Sequence, residues 1–100
     1  MKVTTWIIAV HDEQGGIGSR LIKVFGNMYD VEEFILKEIR IAARRYSQWK
    51  LDKKQSTTRL DDFKEIDSGI IHGYAYFNSI VSDLHPFKIS YSAFDEYEVE

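Results

Sequence analysis

The sequence predicts a single α+β domain of β-β-α-β-β order, a four-stranded and mostly antiparallel sheet with one amphipathic helix packed on one face. Three observations carry this expectation. An apolar stripe of helical period runs through the middle of the chain, and alternating β-forming residues lie on both sides of it. The chain is 100 residues long, which suits one domain and is too short for two well-packed ones. Residues 1–100 are therefore read as one unit, with no internal repeat, low-complexity tract or linker.

Lys2 to His11 reads as a strand. Val3, Thr5, Ile7 and Ala9 face one way, and Thr4, Trp6, Ile8 and Val10 the other. Both rows carry bulk, so the strand is expected at a central position. Asp12-Glu13-Gln14-Gly15-Gly16 has turn chemistry, and a second strand is expected from about Ile17 or Ser19 to Phe25, ended by Gly26-Asn27.

The helix is the clearest element and is expected from Asp30 to about Trp49. Asp30 is placed to cap it, and Glu33 completes an Asp-x-x-Glu capping box. Val31, Ile35, Ile39, Ala42, Tyr46 and Trp49 recur at steps of three or four and form one stripe. Lys37, Arg40 and Arg44 point away from it.

Lys50 to Ser56 has no periodicity and reads as an exposed loop, and Thr58-x-x-Asp61 predicts a short helical turn through Phe63. Strand formers return at Ile70, Ile71 and Tyr74 to Phe77, with Gly73 as a candidate bulge. Ser82-Asp83-Leu84-His85-Pro86 is a turn, after which Phe87, Ile89, Tyr91 and Ala93 alternate with Lys88, Ser90 and Ser92 as a half-buried strand. This order is similar to that of ubiquitin-like β-grasp domains, and the likeness implies one helix across a mixed four-stranded sheet. It is topological and carries over no functional residues. A plain antiparallel sheet with the helix on one face fits the same pattern.

Composition excludes several chemistries. With 44% hydrophobic and 14% aromatic residues the chain can build a core, and with no cysteine it has neither disulfides nor thiolate chemistry. Trp6 to Val10 is too short an apolar run for a secretory core and no stretch is long enough for a membrane span, so a cytosolic protein is expected. Gly15-Gly16-Ile17-Gly18-Ser19 is followed by a strand where a phosphate loop needs a helix N-terminus, so it reads as a hairpin turn. His11, His72 and His85 include no close pair of the kind zinc sites commonly use. No Ser, His and acid fall at a recognisable triad spacing, and a sheet with one helix leaves little room for a pocket of about 300 Å³. No enzyme, metal or cofactor is expected.

Charge is uneven. Residues 37–59 carry 8 basic and 2 acidic side chains, whereas residues 60–100 carry 2 basic and 9 acidic. Arg40, Arg44, Arg45, Trp49, Lys50, Lys53, Lys54 and Arg59 are thus the candidate binding residues, for nucleic acid or for a protein partner. Cations also belong near a helix C-terminus for local reasons, and the acidic balance, −3 overall, argues against a dedicated nucleic-acid binder. The preferred expectation is a non-enzymatic module making protein–protein contact through a sheet face or edge, with a homodimer as one form of it. The competing expectation is a nucleic-acid accessory protein using the basic helix end.

Overall fold

The computed structural model describes residues 5–13, 20–46, 49–67, 70–80 and 86–96. Strands β1 (Thr5–Asp12) and β2 (Arg20–Phe25) precede helix α1 (Met28–Arg45). Then come β3 (Trp49–Leu51), a single 3₁₀ turn (Leu60–Asp62), β4 (Lys64–Asp67), β5 (Ile70–Ser79) and β6 (Phe87–Glu96). The sheet order is β2-β1-β6-β5-β3, and β4 also pairs with β5.

The α+β class and the single helix agree with the sequence, but the sheet has more than four strands. The additions are short. β3 and β4 hold 3 and 4 residues, too few for alternation to stand out, and Trp49 also happens to continue the helical spacing. Both run antiparallel to β5, β3 along Phe77 to Ser79 and β4 along Ile70 to His72. They therefore act as one interrupted strand on its outer edge.

That extra strand reverses the chain once more before the last hairpin. As a result β6 lies antiparallel to β1, and every pairing in the sheet is antiparallel. A β-grasp sheet needs its first and last strands parallel, so the mixed-sheet expectation fails on direction. β1 does lie between two neighbours, β2 and β6, as expected of a central strand.

The helix starts earlier and ends sooner than its stripe suggested. Gly26 has φ +142°, a conformation that side-chain-bearing residues rarely adopt. It delivers Asn27 as the N-cap: the Asn27 side chain accepts from the Asp30 N–H at 3.0 Å, and Asp30 accepts from the Asn27 N–H at 2.9 Å. Asp30 is thus the third helical residue in the capping box rather than the cap. At the other end the Tyr46 N–H closes onto the Ala42 carbonyl at 3.0 Å, and Trp49 leaves the helix for β3.

Strand alternation determines what α1 covers. Trp6, Ile8 and Val10 of β1 are buried, as are Ile71, Ala75 and Phe77 of β5 and Phe87, Ile89, Tyr91 and Ala93 of β6. They pack with Val31, Ile35, Ile39 and Ala42 of the helix. Each fully buried isoleucine contributes roughly 1.5–3 kcal/mol through lost apolar exposure. Near the helix C-terminus, Phe77 and Phe87 stack at 5.0 Å, and Tyr46 and Trp49 meet Phe87 edge-on at 5.1 and 4.8 Å.

The Tyr46 hydroxyl donates to buried Asp12 at 2.5 Å, so the only acid of β1 is satisfied inside the fold. Gly73 makes no bulge. The β5–β6 register runs unbroken past it, and Phe63 lies where a side chain would go, 2.9 Å from the position of a Cβ. The irregularity falls in β4 instead, between Glu65 and Asp67.

Replacing Gly26 with alanine strains the backbone and drives a Cβ to within 2.3 Å of the Asp30 carboxylate. Gly26→Ala should cost about 1–3 kcal/mol, lowering the melting temperature by roughly 4–8 °C per kcal/mol. Thermal denaturation followed by circular dichroism measures this, and an unchanged midpoint contradicts the assigned turn.

Candidate functional site

Among the described residues, the helix covers one sheet face and leaves the other open. Register places the open-face residues in rows that cross the strands. Lys23, Ile7, Phe94 and Ile70 form one row, and Leu21, Ala9, Ser92 and His72 the next. His11, Ser90 and Tyr74 follow, and then Lys88 beside Tyr76, and Asn78 beside Lys50. The face therefore has two ends of different chemistry. Ile7, Leu21, Ile70 and Phe94 make one end apolar, with Leu21 75% and Phe94 41% exposed. Tyr74, Tyr76, Lys88, Asn78 and Lys50 make the other end aromatic and cationic.

Polar contacts order this second end. The Lys88 ammonium lies 5.5 Å from the Tyr74 ring centre and 6.0 Å from that of Tyr76, within cation–π reach of both. Nearer the apolar end, in the row of Leu21 and Ala9, the Ser92 hydroxyl and His72 Nδ1 are hydrogen-bonded at 3.1 Å across the strands.

The outer edge of β5 is closed between β3 and β4 by two buried hydroxyls. The Tyr76 N–H donates to Ser56 Oγ at 2.8 Å and the Tyr74 N–H to Thr57 Oγ1 at 3.0 Å, while the Tyr76 and Tyr74 carbonyls accept from the backbone of Asp52 and Thr57. A turn thus replaces the missing rungs of the ladder and fixes Tyr74 and Tyr76 on the open face.

Two carboxylates fold the connection that makes this edge. Asp52 accepts from the Gln55 side chain at 2.7 Å, from Asn78 at 3.2 Å, and from the Lys54 and Gln55 N–H groups. The Gln55 bond is the largest influence holding its carboxyl below the ordinary range. Asp62, rather than the expected Asp61, caps the 3₁₀ turn and takes the N–H groups of Thr58 and Arg59 at 3.0 Å. The Thr58 N–H leads in lowering its pKa, with help from the Arg59 guanidinium. Burial, and then the Glu38 carboxylate, push the core hydroxyl of Tyr91 well above the ordinary tyrosine range.

The eight residues nominated from sequence fall in different places. Arg40, Arg44 and Arg45 are exposed on α1. Trp49 is half-buried with its ring against Phe87, so its aromatic surface serves the core. Lys50 is exposed in register with open-face Asn78, and Lys53 and Lys54 are exposed in the following turn. Arg59 reaches Asp62 at 3.5 Å. The basic segment is therefore divided between the helix surface and the far end of the sheet.

Lys50, Leu51, Asp52, Lys53, Lys54 and Asn78 line an open concavity of about 470 Å³, larger than the sequence suggested this fold would leave room for. Lys88 was missed from sequence. Its alternation marked it as outward-facing, but only register puts it beside Tyr76. No group of three or more potential metal ligands occurs among the described residues, and no helix there is long and apolar enough to cross a membrane. The expected 12–16 and 82–86 turns and the Gly15–Ser19 cluster fall largely outside the described residues.

No protein-family model matches this chain, and no curated protein or solved structure shows significant similarity to it.

Two outcomes test the site's framework. Thr57→Val leaves the Tyr74 N–H without its side-chain acceptor at a position only 4% exposed. It should cost about 1–3 kcal/mol in denaturant unfolding, and a neutral result contradicts the edge closure. Separately, Asp52 and Asp62 titrate lower folded than unfolded, so the unfolded chain takes up protons first as the pH falls. Their stabilisation is complete above about pH 4 and disappears as the pH drops through the folded values. Asp62→Asn should flatten the dependence of melting temperature on pH below about pH 4, and an unchanged slope contradicts the assignment.

Proposed function

We propose that this chain is a non-catalytic binding module that makes protein–protein contact through its open sheet face and the free edge beside it. Its first partner is a second copy of the same chain. The observation that carries this reading is the apolar end of the face, where Ile7, Ile70 and Phe94 lie in one row that Lys23 ends on the edge strand, with Leu21 in the next row of that strand. An uncovered, contiguous apolar group on a sheet characterises an interaction surface more than a structural one.

The edge supports the choice of a second copy. β5 is closed by β3, the Ser56–Thr57 turn and β4, whereas β2 pairs only with β1 among the described residues. A strand meeting its own copy across a two-fold axis pairs antiparallel. Centring that pair on Ile22 keeps like faces together and sets Leu21 opposite Lys23 of the second copy. Centring it on Lys23 instead opposes two like charges, so one register is favoured.

The basic helix end supports a second reading, nucleic-acid contact through Arg40, Arg44 and Arg45. Their exposure favours it, but Trp49 is turned into the core and offers bases no ring there.

Size-exclusion chromatography with light scattering tests the main reading. The chain should approach twice its 11.7 kDa mass as concentration rises, and Leu21→Glu with Phe94→Glu, both at exposed positions, should hold it at the monomer mass with its circular dichroism unchanged. A wild-type chain that stays monomeric at high concentration refutes the homotypic contact.

A further inference from the structure

We infer that the aromatic and cationic end of the open face is a binding strip for single-stranded nucleic acid, with bases on Tyr74 and Tyr76 and phosphates on Lys50, Lys53, Lys54 and Lys88. This goes beyond the proposed self-contact and rests on other residues, at the opposite end of the face. It also differs from nucleic-acid contact at the helix end, because it places the ligand on the sheet.

Three features converge. Tyr74 and Tyr76 are two residues apart on one strand, so their rings project from the same face about 6.8 Å apart. That presents two successive stacking platforms, and every base has a π-face to place on them. The Lys88 ammonium lies within cation–π reach of both rings, so the charge and the two platforms form one patch, and a base stacking on either ring takes the place of the ammonium there.

Lysines border these rings on the strands to either side. Lys88 is directly opposite Tyr76 on β6, and Lys50 is opposite Asn78 on β3, with Lys53 and Lys54 around the adjoining concavity. None of the four forms an ion pair with a described carboxylate. Asp52, the acid inside that concavity, has its oxygens occupied by Gln55, Asn78 and backbone N–H groups. The lysine charge therefore remains available to an incoming anion.

The surroundings orient the strand. Asp61 and Asp62 lie beside Tyr74 around a second concavity, of about 270 Å³, which the Ser56–Thr57 turn also lines and Lys54 borders. Phosphates are repelled there and drawn toward Lys50 and Lys88, so the sugar–phosphate path runs along the lysine side of the rings. Double-stranded nucleic acid, with its bases stacked inside, offers these rings nothing.

The test is fluorescence anisotropy with labelled oligothymidine and oligouridine of about ten nucleotides, at about 50 and about 200 mM salt. Both single strands should bind. Three or four phosphate contacts predict a loss of roughly 20- to 50-fold in affinity across that salt range. Tyr74→Ala or Tyr76→Ala should weaken binding by roughly 5- to 150-fold, while Tyr74→Phe, which keeps the ring, should bind nearly as the parent does. Lys50→Ala with Lys88→Ala should lower both affinity and the salt slope, circular dichroism showing that each variant is folded.

The Leu21→Glu, Phe94→Glu chain should bind as well as the parent, which separates this strip from self-association. No binding at the lower salt overturns the inference. So does equal binding of a duplex or of polyglutamate, indifference to the tyrosine substitutions, or loss of binding on Arg40→Ala with Arg44→Ala instead.

Discussion

A single helix has to serve the whole sheet, and the rest of the structure follows from that constraint. Helix α1 has 18 residues, or about 27 Å of length, and the chain holds no second long helix among the described residues. One face of β1, β5 and β6 is sealed by Val31, Ile35, Ile39 and Ala42, and the other is left to solvent or to partners. The sealed side takes the fully buried isoleucines and the aromatic cluster. The open side collects residues a core would not use, including His11, Lys88, Ser90 and Tyr74.

The two sides are held in register by polar closures rather than by further apolar burial. Gly26 and the Asn27–Asp30 capping box set where the helix begins, and the Tyr46 hydroxyl on Asp12 anchors its far end to β1. The Arg20 guanidinium meets Glu38 at 3.0 Å and ties edge strand β2 to the helix. Ser56 and Thr57 complete the ladder of β5 where neither β3 nor β4 reaches. Because unmet backbone donors are costly when buried, these small contacts decide which strand edges are closed. Among the described residues, β2 is the edge strand with a single partner, β1.

Much of the fold was legible in the chain because its long elements follow clean periods. The helix stripe from Val31 to Ala42 and the alternation from Phe87 to Ala93 each continue for several repeats, enough for the burial side of every residue to be read. Boundaries were less legible where two signals coincided. Trp49 fits the helical spacing from Ala42 yet belongs to β3, and Asp30 has the chemistry of a cap, although Gly26 places Asn27 there. Short strands such as Trp49–Leu51 leave no repeat to read.

The candidate site was less legible than the fold. Sequence proximity grouped Arg40 with Lys54, but the chain turns between them and sends them to different surfaces. Tyr74, Lys88 and Lys50 lie far apart in sequence, and only the β3–β5–β6 register brings them together. The proposed contact makes the open face, not the helix, the working surface. Nuclear magnetic resonance of the labelled chain across a concentration series tests it directly. Backbone shifts should move with concentration at Ile7, Leu21, Ile22, Lys23 and Phe94 while Arg40, Arg44 and Arg45 stay fixed. Movement confined to the helix arginines, with the sheet resonances unchanged, contradicts the claim.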